Sequence, residues 1–297
     1  MSGSPIYVNG KLIGGFSQGE SFSKEPIGMA TPIEDMLEAW DSKIPQTPTY
    51  FTPAEINPKL LKKTAWKPDN GTHIVQLPAP ICVQGRTISR LVLNAPLTST
   101  LRSSSGTAVL HRATTYLMAS NLKQKERDWL QKELDSKGYG VTVMAGSGLG
   151  KSETTTAPPL QPGSPFGTFF ATGDVNVGAT GTVTYRLGDR ILGYGHPFFG
   201  LGAVEAPLTS ASIVDIFSGY QVSHHIATVG KTIGSLVQDR NFSVAGVIGR
   251  IPHTVPFTVQ VNDHTNGRSR TFHSEVFLHP DLTPTLMRLV ARQAISQ

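Results

Sequence analysis

The chain has one cysteine, Cys82, among 297 residues. No internal disulfide can staple the fold, so packing alone must hold it. In LPAPICVQG the thiol sits between apolar neighbours and reads as a small buried hydrophobe rather than a nucleophile. Charge is also scarce, at 16% Asp, Glu, Lys and Arg. The net charge is +5, yet the basic residues are scattered and only Lys62 and Lys63 form a tight pair. A nucleic-acid surface needs a basic stripe interleaved with aromatics, so nucleic-acid binding is not expected. No run approaches the roughly 18 apolar residues of a membrane helix, and the N terminus lacks the basic and apolar regions of a signal peptide. No internal repeat period emerges.

What the chain does have is 30 Gly, 21 Pro and 38% hydrophobic residues, a strand-and-turn composition. The expected fold is β-rich α+β with a few helices. Ile6, Val8, Leu12 and Ile13 alternate around Asn9-Gly10, the grammar of a two-residue hairpin. PIEDMLEAW follows as a helix with Thr31 as its N-cap and Pro32 in its first turn. Residues 41–70 carry five prolines and read as a linker between 1–40 and the rest. A middle α/β portion spans 71–160, with short strands and the helix LKQKERDWLQKELDSKG closed by Gly138. From 161 to 297 β structure resumes. TSASIVDIF reads as a short helix, ATVGKTIGSLVQDRNFSVAGVIG as a hairpin, HTVPFTVQVN and RTFHSEVFL as strands, and a final amphipathic helix starts near Pro284.

AGSGLGKS after the strand GVTVM imitates a phosphate-binding loop, but the required glycine is Ala145 and SETTTAPPLQPG cannot open the necessary helix. Nucleotide binding is therefore not expected. Two other stretches carry chemistry. In GTVTYRLGDRILGYGHPFFG, a hairpin delivers His196 between Gly195 and Pro197, which suits either a general base or a structural histidine held by a backbone carbonyl. Ser2 heads SGSP before a hairpin, either as an ordinary turn or as a nucleophile exposed on a strained turn.

Together, MSGSPIYVNGKLIG and GTVTYRLGDRILGYGHPF resemble the signature segments of the SpoIVB-type serine peptidases, the bacterial sporulation stage IV B peptidase family. SFSKEPIGMATPIEDM and PGSPFGTFFATGDVNVGATGTVTY extend the resemblance over about residues 1–40 and 160–260. It implies a chymotrypsin-like β-barrel, Ser2 as nucleophile and His196 as base. It further implies acyl transfer on a protein or peptide substrate without cofactor or metal, in an exported or envelope-associated protein. By the same resemblance, Met1 reads as an internal methionine and the chain as the C-terminal part of a longer protein. Asp215 and Asp239 are the acids near enough in sequence to orient His196. The rival expectation is a non-catalytic envelope scaffold or peptide-binding module working by strand addition, with Ser2 remote from His196.

Overall fold

A computed structural model describes residues 2–21, 27–41, 71–96, 99–113, 115–146, 159–217 and 224–296. The linker stretch from residue 42 to 70 and nearly all of the phosphate-loop imitation lie outside the described residues. The fold is β-rich α+β, built on two sheets.

The first sheet begins with the predicted hairpin, β1 (Pro5–Val8) and β2 (Lys11–Gly19). Asn9 and Gly10 both take positive φ, 50° and 76°, which lets a two-residue turn follow the strand twist. β3 (Gly28–Pro32) pairs with β2. The order continues β2-β6-β5-β4 through β4 (His73–Val83), β5 (Arg86–Ala95) and β6 (Gly106–Arg112). Glu20 at the end of β2 is buried and ties this sheet together. Its carboxylate accepts from both Arg86 guanidinium nitrogens at 2.8 and 3.0 Å, from Ser103 Oγ at 2.6 Å and from Ile27 N at 3.1 Å. These hydrogen bonds hold its pKa below the ordinary value despite burial. β4 is the outer edge, and Ile74, Val75 and Ile81 stand exposed on it. Cys82 shares that exposure, contrary to the buried thiol expected from its neighbours, because an apolar run is buried only where something covers it.

The second sheet contains β7 (Thr115–Ser120), β8 (Val141–Ala145), β9 (Pro165–Gly173), β10 (Asn176–Leu187), β11 (Arg190–Gly193), β12 (Gly202–Phe217), β13 (His224–Asp239), β14 (Val244–Ile248), β15 (Thr254–Asp263) and β16 (Arg268–Phe277). The strands of 71–160 are thus shared between both sheets. TSASIVDIF lies within β12, not in a helix, because it is zipped to β13 in one long hairpin. Six strands pair in a closed cycle: β9 with β12, β12 with β13, β13 with β14, β14 with β11, β11 with β10, and β10 back to β9. Phe166, Val183, Ile191, Leu208, Leu236 and Val244 are buried in one apolar core with them.

Three helices complete the described chain. α1 (Ile33–Asp41) presses Met36 and Ala39 against Leu192, Val237 and Ala245 of β11, β13 and β14. Ile191 and Val244, one residue away, belong to the other core, so these strands are covered on both faces. Trp40 Nε1 donates to Ile191 O at 3.3 Å, Arg190 Nη2 to Trp40 O at 2.6 Å, and Ser243 Oγ to Met36 O at 2.8 Å. This clasp binds the N-terminal segment to the strand ring. α2 (Gln124–Ser136) crosses between parallel β7 and β8 and stops at Gly138, as the sequence predicted. α3 (Thr283–Ser296) packs beside it, stacking Arg288 and Arg292 on Trp129. Among the described residues no helix is long and apolar enough to cross a membrane.

Candidate active site

Ser2 stands on a tight turn just before β1. Gly3 follows at φ 80°, its N–H donating to Phe16 O at 2.8 Å and its carbonyl accepting from Thr184 Oγ1 at 2.6 Å. A Cβ at Gly3 would collide with Tyr194 N and would lie 2.5 Å from Thr182 O. Only glycine lets the serine turn seat this deeply against β10 and the segment after β11.

The opposing segment is as tightly turned. Gly195 N donates to Gly193 O at 3.0 Å, closing a three-residue turn with Tyr194 at its centre at φ 71°. A tyrosine at positive φ is strained, and such strain persists only where the surroundings over-determine it. Here the Tyr194 ring is locked edge-on against Phe166, Phe198 and the His196 ring. Gly195, at φ 66°, passes so close to β2 that a Cβ would lie 2.9 Å from Gly15 O. Thr31 Oγ1 fixes the Gly195 carbonyl at 2.5 Å. The predicted helix cap is therefore a clamp on the histidine segment.

The two segments meet. Ser2 Oγ hydrogen-bonds His196 Nε2 and lies 3.2 Å from Tyr194 O. His196 Nδ1 is 2.8 Å from the carbonyl oxygen of Pro197. A carbonyl only accepts, so Nδ1 carries the proton and Nε2 offers its lone pair to the serine hydroxyl. That is the tautomer a general base requires. The backbone-held histidine and a histidine with a free Nε2 facing a serine, alternatives at the level of sequence, are compatible in one residue.

His196 is only 3% exposed. Burial pushes its pKa down to about 3, the Pro197 bond opposes this, and the nearby Arg112 guanidinium lowers it further. The imidazole is thus neutral throughout the physiological range. It is correctly protonated for catalysis but a weak base, since proton-transfer drive is greatest with a pKa near the working pH.

Neither predicted acid contacts His196. Asp215 is exposed on the distal part of β12, with its carboxylate accepting from Ile216 N at 2.7 Å. About 40 Å of extended strand separates it from the start of β12 beside the histidine loop. Asp239 is buried at the end of β13 and accepts backbone amides of residues 198–201 instead. The orienting acceptor is the Pro197 carbonyl, which a search for acidic side chains cannot find. Thr31 and Thr184 were also missed as clamps; their only signal was their place in the two motif segments. Among the described residues no three His, Cys, Asp or Glu side chains gather to hold a metal ion. No protein-family model, curated protein or solved structure matches the chain.

Proposed function

We propose that the chain carries a serine endopeptidase site of the SpoIVB type, with Ser2 as nucleophile, His196 as general base and a peptide as substrate. The observation that carries this reading is the hydrogen bond between Ser2 Oγ and His196 Nε2 across 194 residues. It joins two motifs that are each ambiguous alone. The closed cycle of six strands supports the finer fold expectation, a chymotrypsin-like barrel, with the serine hairpin clasped to its outside by α1.

In the proposed reaction Ser2 Oγ attacks the acyl carbon as its proton passes to His196 Nε2. The histidine returns that proton to the leaving amine, and water then cleaves the acyl-enzyme by the same route. The Pro197 carbonyl supplies orientation but no negative charge, so the imidazolium formed in transit is less stabilised than beside a carboxylate. Slow turnover follows. Operation in an exported or envelope-associated protein belongs to the same proposal and rests on the motif resemblance.

The rival, peptide binding by strand addition, has the open edges of β4 and β15 in its favour. It gives no reason for serine and histidine to meet. A fluorophosphonate probe separates the two: Ser2 Oγ bonds to phosphorus, fluoride leaves and the hydroxyl proton goes to His196. Labelling that disappears in both Ser2→Ala and His196→Ala is expected; no labelling, or labelling unchanged in Ser2→Ala, would refute the hydrolase reading.

A further inference from the structure

Asp239 makes an unusual set of contacts for a buried carboxylate. Oδ1 accepts Phe198 N at 2.7 Å, while Oδ2 accepts Phe199 N at 2.8 Å, Gly200 N at 2.8 Å and Leu201 N at 3.2 Å. Four successive amides thus turn inward on one side chain that is 3% exposed. Burying a carboxylate is expensive, and burying unpaired amides costs as well. Each need meets the other, in charge-assisted hydrogen bonds stronger than neutral ones. Burial holds the carboxyl pKa above its ordinary value, and the four amides oppose that rise.

The first of these amides has a second consequence. Phe198 N–H and Pro197 C=O belong to one peptide group, which is planar and rigid. One end of that group donates to Asp239 Oδ1 at 2.7 Å; the other accepts from His196 Nδ1 at 2.8 Å. The acid and the histidine are therefore joined through a single peptide plane. Tilting that plane moves the acceptor on which the imidazole is aligned, and a charge at one end polarises the bond at the other.

We infer that Asp239 is a positioning residue for His196, acting through the Pro197–Phe198 peptide plane where a serine-peptidase acid would make direct contact. The inference rests on the proposed function for its catalytic meaning, but not for its structural test. The remaining three amides keep the loop from drifting, so that the plane has one orientation. Asp239 lies at the end of β13, paired with both Gly202 and Val244, which gives the carboxylate a rigid mount.

The test uses the full chain with Asp239→Asn and Asp239→Ala, reading nitrogen chemical shifts of His196 and the rate of fluorophosphonate labelling. In the unsubstituted protein His196 should show a protonated Nδ1 and an unprotonated Nε2. Asparagine keeps one acceptor without charge and alanine keeps none, so the shifts should move toward a two-tautomer average in the order Asn, then Ala. Labelling should slow in the same order by about 10- to 100-fold, the scale of a misplacement near 1 Å. A purely structural role would lower the melting temperature without changing the tautomer. Folded variants with unchanged His196 shifts and labelling within twofold would overturn the inference. If neither variant folds, amide exchange in the unsubstituted protein decides: Phe198 to Leu201 should be strongly protected, and exchange at exposed-loop rates would overturn it. Absence of labelling in the unsubstituted protein would sink the hydrolase reading alone, because the tautomer measurement needs no reactive serine.

Discussion

Acid should destabilise this protein above the ordinary carboxylate range, and His196 should account for a measurable share. In the folded state its pKa is held at about 3 by burial, whereas an unfolded chain titrates near the ordinary 6.5. Between these values the unfolded state binds a proton that the native state refuses, so stability is lost as pH falls from 6.5 toward 3. At pH 5 the unfolded histidine is almost fully protonated, about 1.5 pH units below its midpoint; at 1.36 kcal/mol per unit the loss is about 2 kcal/mol. That is a substantial fraction of a typical 5–15 kcal/mol stability. In a chain of this size it corresponds to roughly 4 °C in melting temperature. The assay is thermal melting of the unsubstituted protein and His196→Asn at pH 7.5 and 5. The variant starts lower for lost packing, but its drop between the two pH values should be about 4 °C smaller. Every other titrating group cancels in that difference. His279, half-buried and lowered to about 4, should give an effect of the same sign and similar size in His279→Gln, since both native values lie well below pH 5. Parallel pH dependences in the unsubstituted protein and His196→Asn would refute the burial argument.

The same neutral imidazole predicts that fluorophosphonate labelling has no falling limb near pH 6.5 and continues to pH 5; a half-maximum between 6 and 7 would show an ordinary, solvated histidine. Tyr194 is fully buried and its hydroxyl has no hydrogen-bond partner among the described residues. Tyr194→Phe should therefore raise stability by about 1 kcal/mol in denaturant melts; a loss of that size would reveal a partner. Met36 anchors α1 at 0% exposure, so Met36→Ala should cost about 2–5 kcal/mol. It should also slow Ser2 labelling by loosening the clasp; unchanged labelling would mean the hairpin seats without α1.

Local signals were the legible part of this fold. Asn9-Gly10, Gly138 and Pro284 each marked a turn or helix end, because each acts through its own backbone. The closed cycle of strands was not legible, since it depends on β9 pairing with β12 and β11 with β14 at sequence separations that no periodicity encodes. TSASIVDIF reads as helical in isolation because its pairing with β13 leaves no local mark. Ser2 and His196 could be singled out, since each occupies a glycine-flanked turn. Their meeting could not, because it depends on α1 docking and on Thr31 and Thr184 reaching across the fold. Nothing local to Asp239 marks the amides it serves, which lie 38 to 41 residues earlier in the chain.

The group facing His196 Nδ1 belongs to the main chain, and this changes how it can be found and removed. Alanine scanning is blind to it, since every residue at position 197 brings a carbonyl. Acid leaves it intact as an acceptor, unlike a carboxylate, which loses that role on protonation. Chemical synthesis reaches what genetic substitution cannot: an ester in place of the 197–198 amide would delete the donor to Asp239 and weaken the acceptor for His196, with every side chain left in place.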